Sequence, residues 1–378
     1  MRVLNLIDTL GRGGAETLLM HLAEDARGLG VEVEVGVLAP PFTLAEGLEA
    51  RGVKVYRRSA SRLSVTAIPA LAAWVRGLVH ETSPDVVHAH LFHATMSVSG
   101  RVLWPRSVRT VASLHNLDYD SWRLSRAKMW LVKRLHRSAL AHAVDRVVAV
   151  SDAVARHYEA QLQLSPATVI PNAVPYDALA GVAGDRARLA EVGLSPERLT
   201  VAAVGRLVHQ KGHDRLLCAL ARLRDDGLDG QALIVGDGPE RSALEALIER
   251  LQLEGYVALV PALPHPELMG LLASCDVFAM SSRFEGFGIA LIEAMMLGLP
   301  PVVADISPLR ELVEHGRYGR RVDASSAEAL AAALGELFKT PEARRDLGER
   351  ARTHAAERFS TQTVARQWHR LYQDLLET

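Results

Sequence analysis

Four short segments of this 378-residue chain combine glycine with charge in a way that suits an anionic, hydroxyl-rich ligand. In Gly205-Arg206-Leu207-Val208-His209-Gln210-Lys211-Gly212, a guanidinium fork and an ammonium share one short loop and can converge on a diphosphate. In Glu285-Gly286-Phe287-Gly288-Ile289, the glycines can expose backbone N–H groups where a helix begins. Glu293 follows eight residues after Glu285. About two helical turns then separate the carboxylates, so they serve different parts of one ligand. Glu293 stands in an apolar run, and a buried carboxylate needs partners: a ribose diol offers two hydroxyl donors, and a core arginine is the alternative. The pair in Gly11-Arg12-Gly13-Gly14-Ala15-Glu16 either lets backbone approach a phosphate or makes a tight turn into a helix. Gly236-Asp237-Gly238-Pro239 is by itself a turn signal that could line a nucleoside pocket.

These loops need elements to hold them. Apolar runs alternate with helical patterns: expected strands at Val3–Ile7, Val31–Leu38, Val53–Tyr56, Val86–His88, Val108–Leu114, Val147–Val150 and Thr168–Ile170, with helices between. The rhythm weakens after Pro171-Asn172 and restarts with strands at Leu199–Val204, Ala232–Val235, Val257–Val260, Val277–Met280 and Pro301–Ala304. Such βα alternation predicts parallel sheets, and hence an α/β chain of two Rossmann-like domains. The expected boundaries are 1–175 and 176–359. The segment 360–378 reads as a helix with Val364, Trp368, Leu371, Tyr372 and Leu375 on one stripe, crossing back to dock on the first domain. In such sheets ligands sit beyond the carboxyl ends of the strands, which is where the loaded loops fall.

The composition, 49% apolar and 23% charged, is that of a packed globular protein. Residues 1–170 hold 20 Lys and Arg against 15 Asp and Glu, and residues 171–378 hold 23 against 29, so halves of +5 and −6 hide behind a net charge of −1. The basic excess is too small and dispersed for nucleic acid, though it can face an anionic lipid or acceptor. The apolar stretch Phe287–Ala304 contains Glu293, Gly298 and two prolines and makes a poor lipid-crossing helix. The opening run reads as a strand with no cleavage site behind it, and Cys218 and Cys275 sit among apolar neighbours. A cytoplasmic protein is expected.

The full set of motifs resembles the retaining glycosyltransferase family four. It comprises the glycine pair after the first strand, Gly-Arg-Leu with Gln-Lys-Gly, Gly-Asp-Gly-Pro, and Glu-Gly-Phe-Gly with Glu eight residues on. Pro84-Asp85-Val86-Val87-His88-Ala89-His90, Ser113-Leu114-His115-Asn116, Val150-Ser151, Pro171-Asn172 and Gly298-Leu299-Pro300-Pro301-Val302-Val303 extend the likeness over nearly the whole chain. The resemblance implies a GT-B enzyme whose two domains face across a cleft. It would move a sugar, with retention, from a nucleoside diphosphate donor, UDP first and GDP second, without a metal or other cofactor. Arg206 and Lys211 would hold the diphosphate, Glu293 the ribose, and Glu285 with the backbone of Gly286, Phe287, Gly288 and Ile289 the transferring sugar. Leu263 would meet the base beside Gly236, Gly13 and Gly14 would close over the donor, and His115 would touch the sugar near the reaction centre. Front-face transfer, in which the leaving phosphate helps deprotonate the acceptor, is expected. The chain departs from the family pattern at Ala173, Pro261 and Pro308, where glycine is usual, and Pro261 bears on base recognition.

The acceptor is expected to be a glycan, glycolipid or other hydroxyl compound, with a place in bacterial cell-surface polysaccharide or glycolipid synthesis. The basic, tryptophan-bearing stretch 122–137 suggests peripheral contact with an anionic inner membrane face; the alternative is a domain-packing helix with a solvated basic face. Two other functions fit the same nucleotide site: a sugar-nucleotide epimerase, and a non-catalytic nucleotide-sugar-binding module.

Overall fold

Runs of Val, Leu, Ile and Ala with no polar alternation belong to strands covered on both faces, and several such runs stand among the thirteen strands that form two parallel sheets in the computed structural model. The structure describes residues 1–11, 14–59, 63–117, 119 and 124–378. The first sheet contains β1 (Arg2–Ile7), β2 (Glu32–Val37), β3 (Lys54–Arg57), β4 (Val86–His90), β5 (Arg109–Leu114), β6 (Arg146–Ala149) and β7 (Thr168–Val169), in the order β3-β2-β1-β4-β5-β6-β7. The second contains β8 (Leu199–Val204), β9 (Gly230–Val235), β10 (Val257–Val260), β11 (Val277–Met280), β12 (Pro301–Ala304) and β13 (Arg320–Val322), in the order β10-β9-β8-β11-β12-β13. This is the expected α/β class. In each sheet the order reverses once, between β1 and β4 and between β8 and β11. Loops leaving the carboxyl ends of those strands diverge, which is where an open sheet of this kind takes a ligand.

The chain divides into one unit of Met1–Val174 with Phe359–Thr378 and another of Pro175–Arg358. Exit and return are tied together, since Val174 N–H donates to the Phe359 carbonyl at 2.9 Å and Thr361 N–H to the Val174 carbonyl at 3.2 Å. Ser360 then caps the helix Thr361–Glu377. That helix buries Val364, Trp368, Leu371, Tyr372 and Leu375 against Val3, Val31, Val86, Val111 and Val148 of the first unit. Strand alternation explains the choice of face: in β1, Val3 meets this helix while Leu4 and Leu6 point into the cluster on the opposite side of the sheet. The second unit has its own core, in which Leu216, Leu220 and Leu223 of the helix His213–Asp225 pack with Leu334 and Leu337 against Val201, Ile234 and Val277. Among the described residues no helix is long and apolar enough to cross a membrane.

Candidate active site

In the second unit the loops after β8 and β11, the two strands at the reversal, are fastened to each other. Arg283 places both guanidinium nitrogens on Asp214, at 2.8 and 2.6 Å, and donates to the His209 carbonyl at 2.8 Å. Gln210 accepts from Arg283 N–H at 2.7 Å and donates to the Phe284 carbonyl at 3.0 Å. The Arg283 fork holds the Asp214 carboxyl below its usual range, while the carboxylate raises the arginine. Gly236 lets the neighbouring loop after β9 close in, because a Cβ there would lie 2.0 Å from the Gly205 carbonyl oxygen.

This clamp presents Lys211 to Glu285. The ammonium lies 2.6 Å from Oε1, the same oxygen that accepts from Ser282 Oγ at 2.8 Å, and the Glu285 side chain is 6% exposed. Lys211 is therefore committed to a specific partner rather than solvated. Arg206, on the same loop, is exposed, and its side chain makes no ion pair or hydrogen bond among the described residues. The sequence set both cations on one loop; the structure brings only Lys211 to Glu285.

The helix Ile289–Met296 starts from Gly288, whose φ of 124° suits a residue without a side chain. Phe287 is buried, Ile289 half-buried, and Gly286 half-buried beside Glu285. Glu293, 8% exposed, does not pair with an arginine: its Oε1 lies 2.8 Å from His265 Nε2. The carboxylate raises the His265 pKa through that hydrogen bond, against the opposing effect of burial. Leu263 is half-buried in the loop between β10 and the helix His265–Leu272, next to Ala262, whose N–H donates to Asp237 Oδ2 at 3.0 Å. The loops that carry Gly236 and Leu263 are thus tied through Asp237 and Ala262, and His265, two residues past Leu263, holds Glu293.

In the first unit Gly14 opens the helix Gly14–Gly28, and Gly13 lies outside the described residues. Asp8, one residue past β1, accepts from the N–H groups of Ala94 at 2.7 Å and His93 at 3.2 Å and bonds the His93 ring at 2.9 Å, so it caps the short helix after β4. Burial pushes the nearby Glu16 carboxyl up, with Thr9 bonding it at 3.2 Å. His115 follows β5 and is 7% exposed; burial lowers its pKa to about 4. Its Nε2 lies 3.1 Å from Nδ1 of His90, whose Nε2 lies 3.1 Å from Asn5 Oδ1. Sequence reasoning missed Asn5, Asp8, His90, Asp214, His265, Ser282 and Arg283. His88 and His90 alternate at the end of β4 and so share a face, which was the one local signal available.

Two family models cover the chain: "Glycosyltransferase Family 4" matches residues 12–178, and "Glycosyl transferases group 1" matches residues 186–354. The phosphatidyl-myo-inositol mannosyltransferase of Mycobacterium leprae is 30% identical over 96% of this chain and 93% of its own. The alpha-D-kanosaminyltransferase of Streptomyces kanamyceticus is 27% identical over 95% and 99%. Among solved structures, Anabaena HepE in complex with UDP superposes with a TM-score of 0.84 at 24% identity, covering 99% of this chain and 100% of its own. Sucrose-phosphate synthase from Thermosynechococcus elongatus gives 0.81 at 19% identity, with full coverage of both at 100%. Matched along both halves by these models and 30% identical to a full-length relative, the chain belongs to glycosyltransferase family 4 and is a glycosyltransferase of the GT-B fold.

Proposed function

We propose that this enzyme takes a sugar from a nucleoside diphosphate, UDP first and GDP second, and transfers it with retention to a hydroxyl of a glycan or lipid-linked acceptor, without a metal. The observation that carries this reading is the 2.6 Å contact between Lys211 and Glu285. It couples a cation suited to a phosphate oxygen with a carboxylate suited to sugar hydroxyls. That pairing fits the two sides of the bond that breaks. Lys211 and Arg206 receive the diphosphate, Glu285 and the N–H groups of Gly286 to Ile289 the sugar, Glu293 the ribose, and Leu263 and Gly236 the base. His115 accepts a sugar hydroxyl. As the C1–O bond to the phosphate breaks, the departing oxygen gains charge that Lys211 and Arg206 offset, and it takes the proton of the acceptor hydroxyl attacking the same face. The Anabaena neighbour's complexes with UDP and UDP-glucose support a uridine donor.

The helix Arg126–His142 supports a membrane setting for the acceptor. Trp130 is 60% exposed, Leu131 and Leu135 are exposed beside Arg134 and Arg137, and Leu135 lines a groove with Val65, Val102, Arg101 and Arg106. Such a basic, aromatic surface suits the interface of an anionic membrane, and the phosphatidyl-myo-inositol named for the Mycobacterium relative is a lipid. Trp122 and Arg123, the start of the stretch read from sequence, lie outside the described residues.

The test is release of UDP from UDP-sugars with and without candidate acceptors, in excess chelator. Release that requires an acceptor, with the anomeric configuration kept in the product, is expected. Turnover without acceptor that inverts a stereocentre of the donor sugar would identify an epimerase, and no turnover despite tight binding would identify a binding module. Pelleting with anionic vesicles at low salt, lost when Arg123, Lys128, Lys133 and Arg137 become Gln, is the expected membrane result; no pelleting would favour a soluble acceptor.

A further inference from the structure

We infer that His90 is a positioning residue that fixes the tautomer of His115 through the relay Asn5–His90–His115, so that His115 offers a bare Nδ1 lone pair to a ligand hydroxyl. The inference rests on the proposed place of His115 at the sugar and extends it to residues with no assigned part. Three features of the structure carry it.

The first is the direction of the relay. The carbamoyl oxygen of Asn5 can only accept, so the proton in its 3.1 Å contact belongs to His90 Nε2. A neutral imidazole has a single N–H, which leaves His90 Nδ1 as an acceptor. The 3.1 Å contact between His90 Nδ1 and His115 Nε2 must then be donated by His115. His115 has thereby used its only N–H, and its Nδ1 carries a lone pair.

The second is that Nδ1. It is buried and meets no hydrogen-bond partner among the described residues, although a buried acceptor left unpaired costs free energy. A ligand hydroxyl supplies the donor it lacks. An amide or an ammonium would also donate, but in a sugar transferase the abundant donors are hydroxyls.

The third is what keeps the relay neutral and still. Burial and the mutual proximity of the rings hold His88 and His90 well below the ordinary histidine range, and burial alone brings His115 to about 4. The His88 ring packs on His90 at a centroid distance of 3.9 Å, and it is fixed by Ser113 Oγ and Tyr372 OH, each at 2.7 Å. Trp368 backs it at 4.6 Å. The helix Thr361–Glu377 therefore supports a set of polar rings as well as an apolar core.

Side-chain ¹⁵N spectra of the labelled full-length protein test the relay without reference to catalysis, with the His115 signal assigned by its loss in His115→Ala. The expected wild-type spectrum shows His115 as the Nε2–H tautomer, with no titration between about pH 5 and 8. The Nδ1–H tautomer in wild type, which is the relay running in the opposite sense, would overturn the proposal. His90→Phe should release His115 into a mixture of tautomers and lower kcat/KM by about 10-fold, the loss of one neutral hydrogen bond, while leaving affinity for UDP, which lacks the transferred sugar, as in wild type. His90→Asn, whose oxygen replaces Nδ1 as acceptor, should restore the tautomer and most of the rate. A folded His90→Phe protein with wild-type kcat/KM would sink the positioning role. Wild-type kinetics in His115→Ala would overturn the underlying placement of His115, a failure that the tautomer spectrum does not share.

Discussion

The two reversal points of this molecule are built from opposite materials. In the second unit the loops after β8 and β11 are held by charge: Arg283 on Asp214, and Lys211 on Glu285. In the first unit the strand ends carry His88, His90 and His115, which burial keeps neutral, linked to Asn5, Ser113 and Tyr372 by hydrogen bonds. A diphosphate needs fixed cations, because charge on the leaving group grows as the bond breaks and preorganised charge need not reorganise to meet it. Recognition of a neutral hydroxyl needs the reverse, a ring whose protonation state does not change with its surroundings. The contrast predicts that the charged region governs turnover and donor affinity, whereas the neutral region governs stability and sugar orientation.

The largest effect should come from breaking the charged region at its centre. Lys211→Ala leaves Glu285 buried without its cation and removes the proposed donor to the leaving phosphate, so kcat/KM should fall roughly 100-fold or more, comparable with the loss of one preorganised donor. Glu285→Gln should lower turnover more than donor affinity, and Glu293→Gln should do the reverse. Steady-state kinetics with one UDP-sugar checks this; the same pattern in both glutamine variants would erase the division of roles.

On the neutral side, Trp368→Ala should destabilise the fold by about 3–5 kcal/mol, the usual cost of removing a buried tryptophan, with donor affinity of the folded fraction unchanged. Denaturant titration, read beside UDP affinity, separates the two. Equal loss of affinity would mean that the regions are not independent.

Arg206→Ala sharpens the comparison because the side chain is exposed and, among the described residues, unpaired. It should weaken donor binding by roughly 1.5–3 kcal/mol, the scale of one charge-assisted hydrogen bond, and leave the melting temperature in place. A shift in melting temperature without a change in affinity would assign it to structure.

The smallest effect concerns His265. Its pKa is raised in the folded protein by Glu293, so the pair's contribution is complete below the ordinary histidine pKa and is lost as pH rises through the raised value. The melting temperature of wild type should drop over that window relative to His265→Ala; parallel curves would show that the pair contributes nothing.

Most of the architecture was legible because parallel strands covered on both faces are apolar throughout, as Val277–Met280 and Pro301–Ala304 are. The strand β13, Arg-Arg-Val, was not legible: it lies at a sheet edge and carries two arginines in three residues. The charged loops were visible because Arg206, Lys211, Glu285 and Glu293 sit in short glycine-marked segments. Their partners were not, since Asp214 meets Arg283 across 69 residues, and Glu293 meets His265 across 28, with no local pattern to join them. The relay of Asn5, His90 and His115 was hidden for the same reason, its contacts spanning 85 and 25 residues. Sequence shows what a loop carries, while pairing depends on the strand order that brings loops together.

Calorimetric titration of UDP into wild type, Lys211→Ala and Arg206→Ala in excess EDTA is the most direct test. Binding to wild type without any divalent ion is expected, with affinity lower by about 10-fold or more in each variant, the loss of one charge-assisted contact. Binding that vanishes with EDTA and returns with magnesium or manganese, or the same affinity in all three proteins, would contradict that expectation.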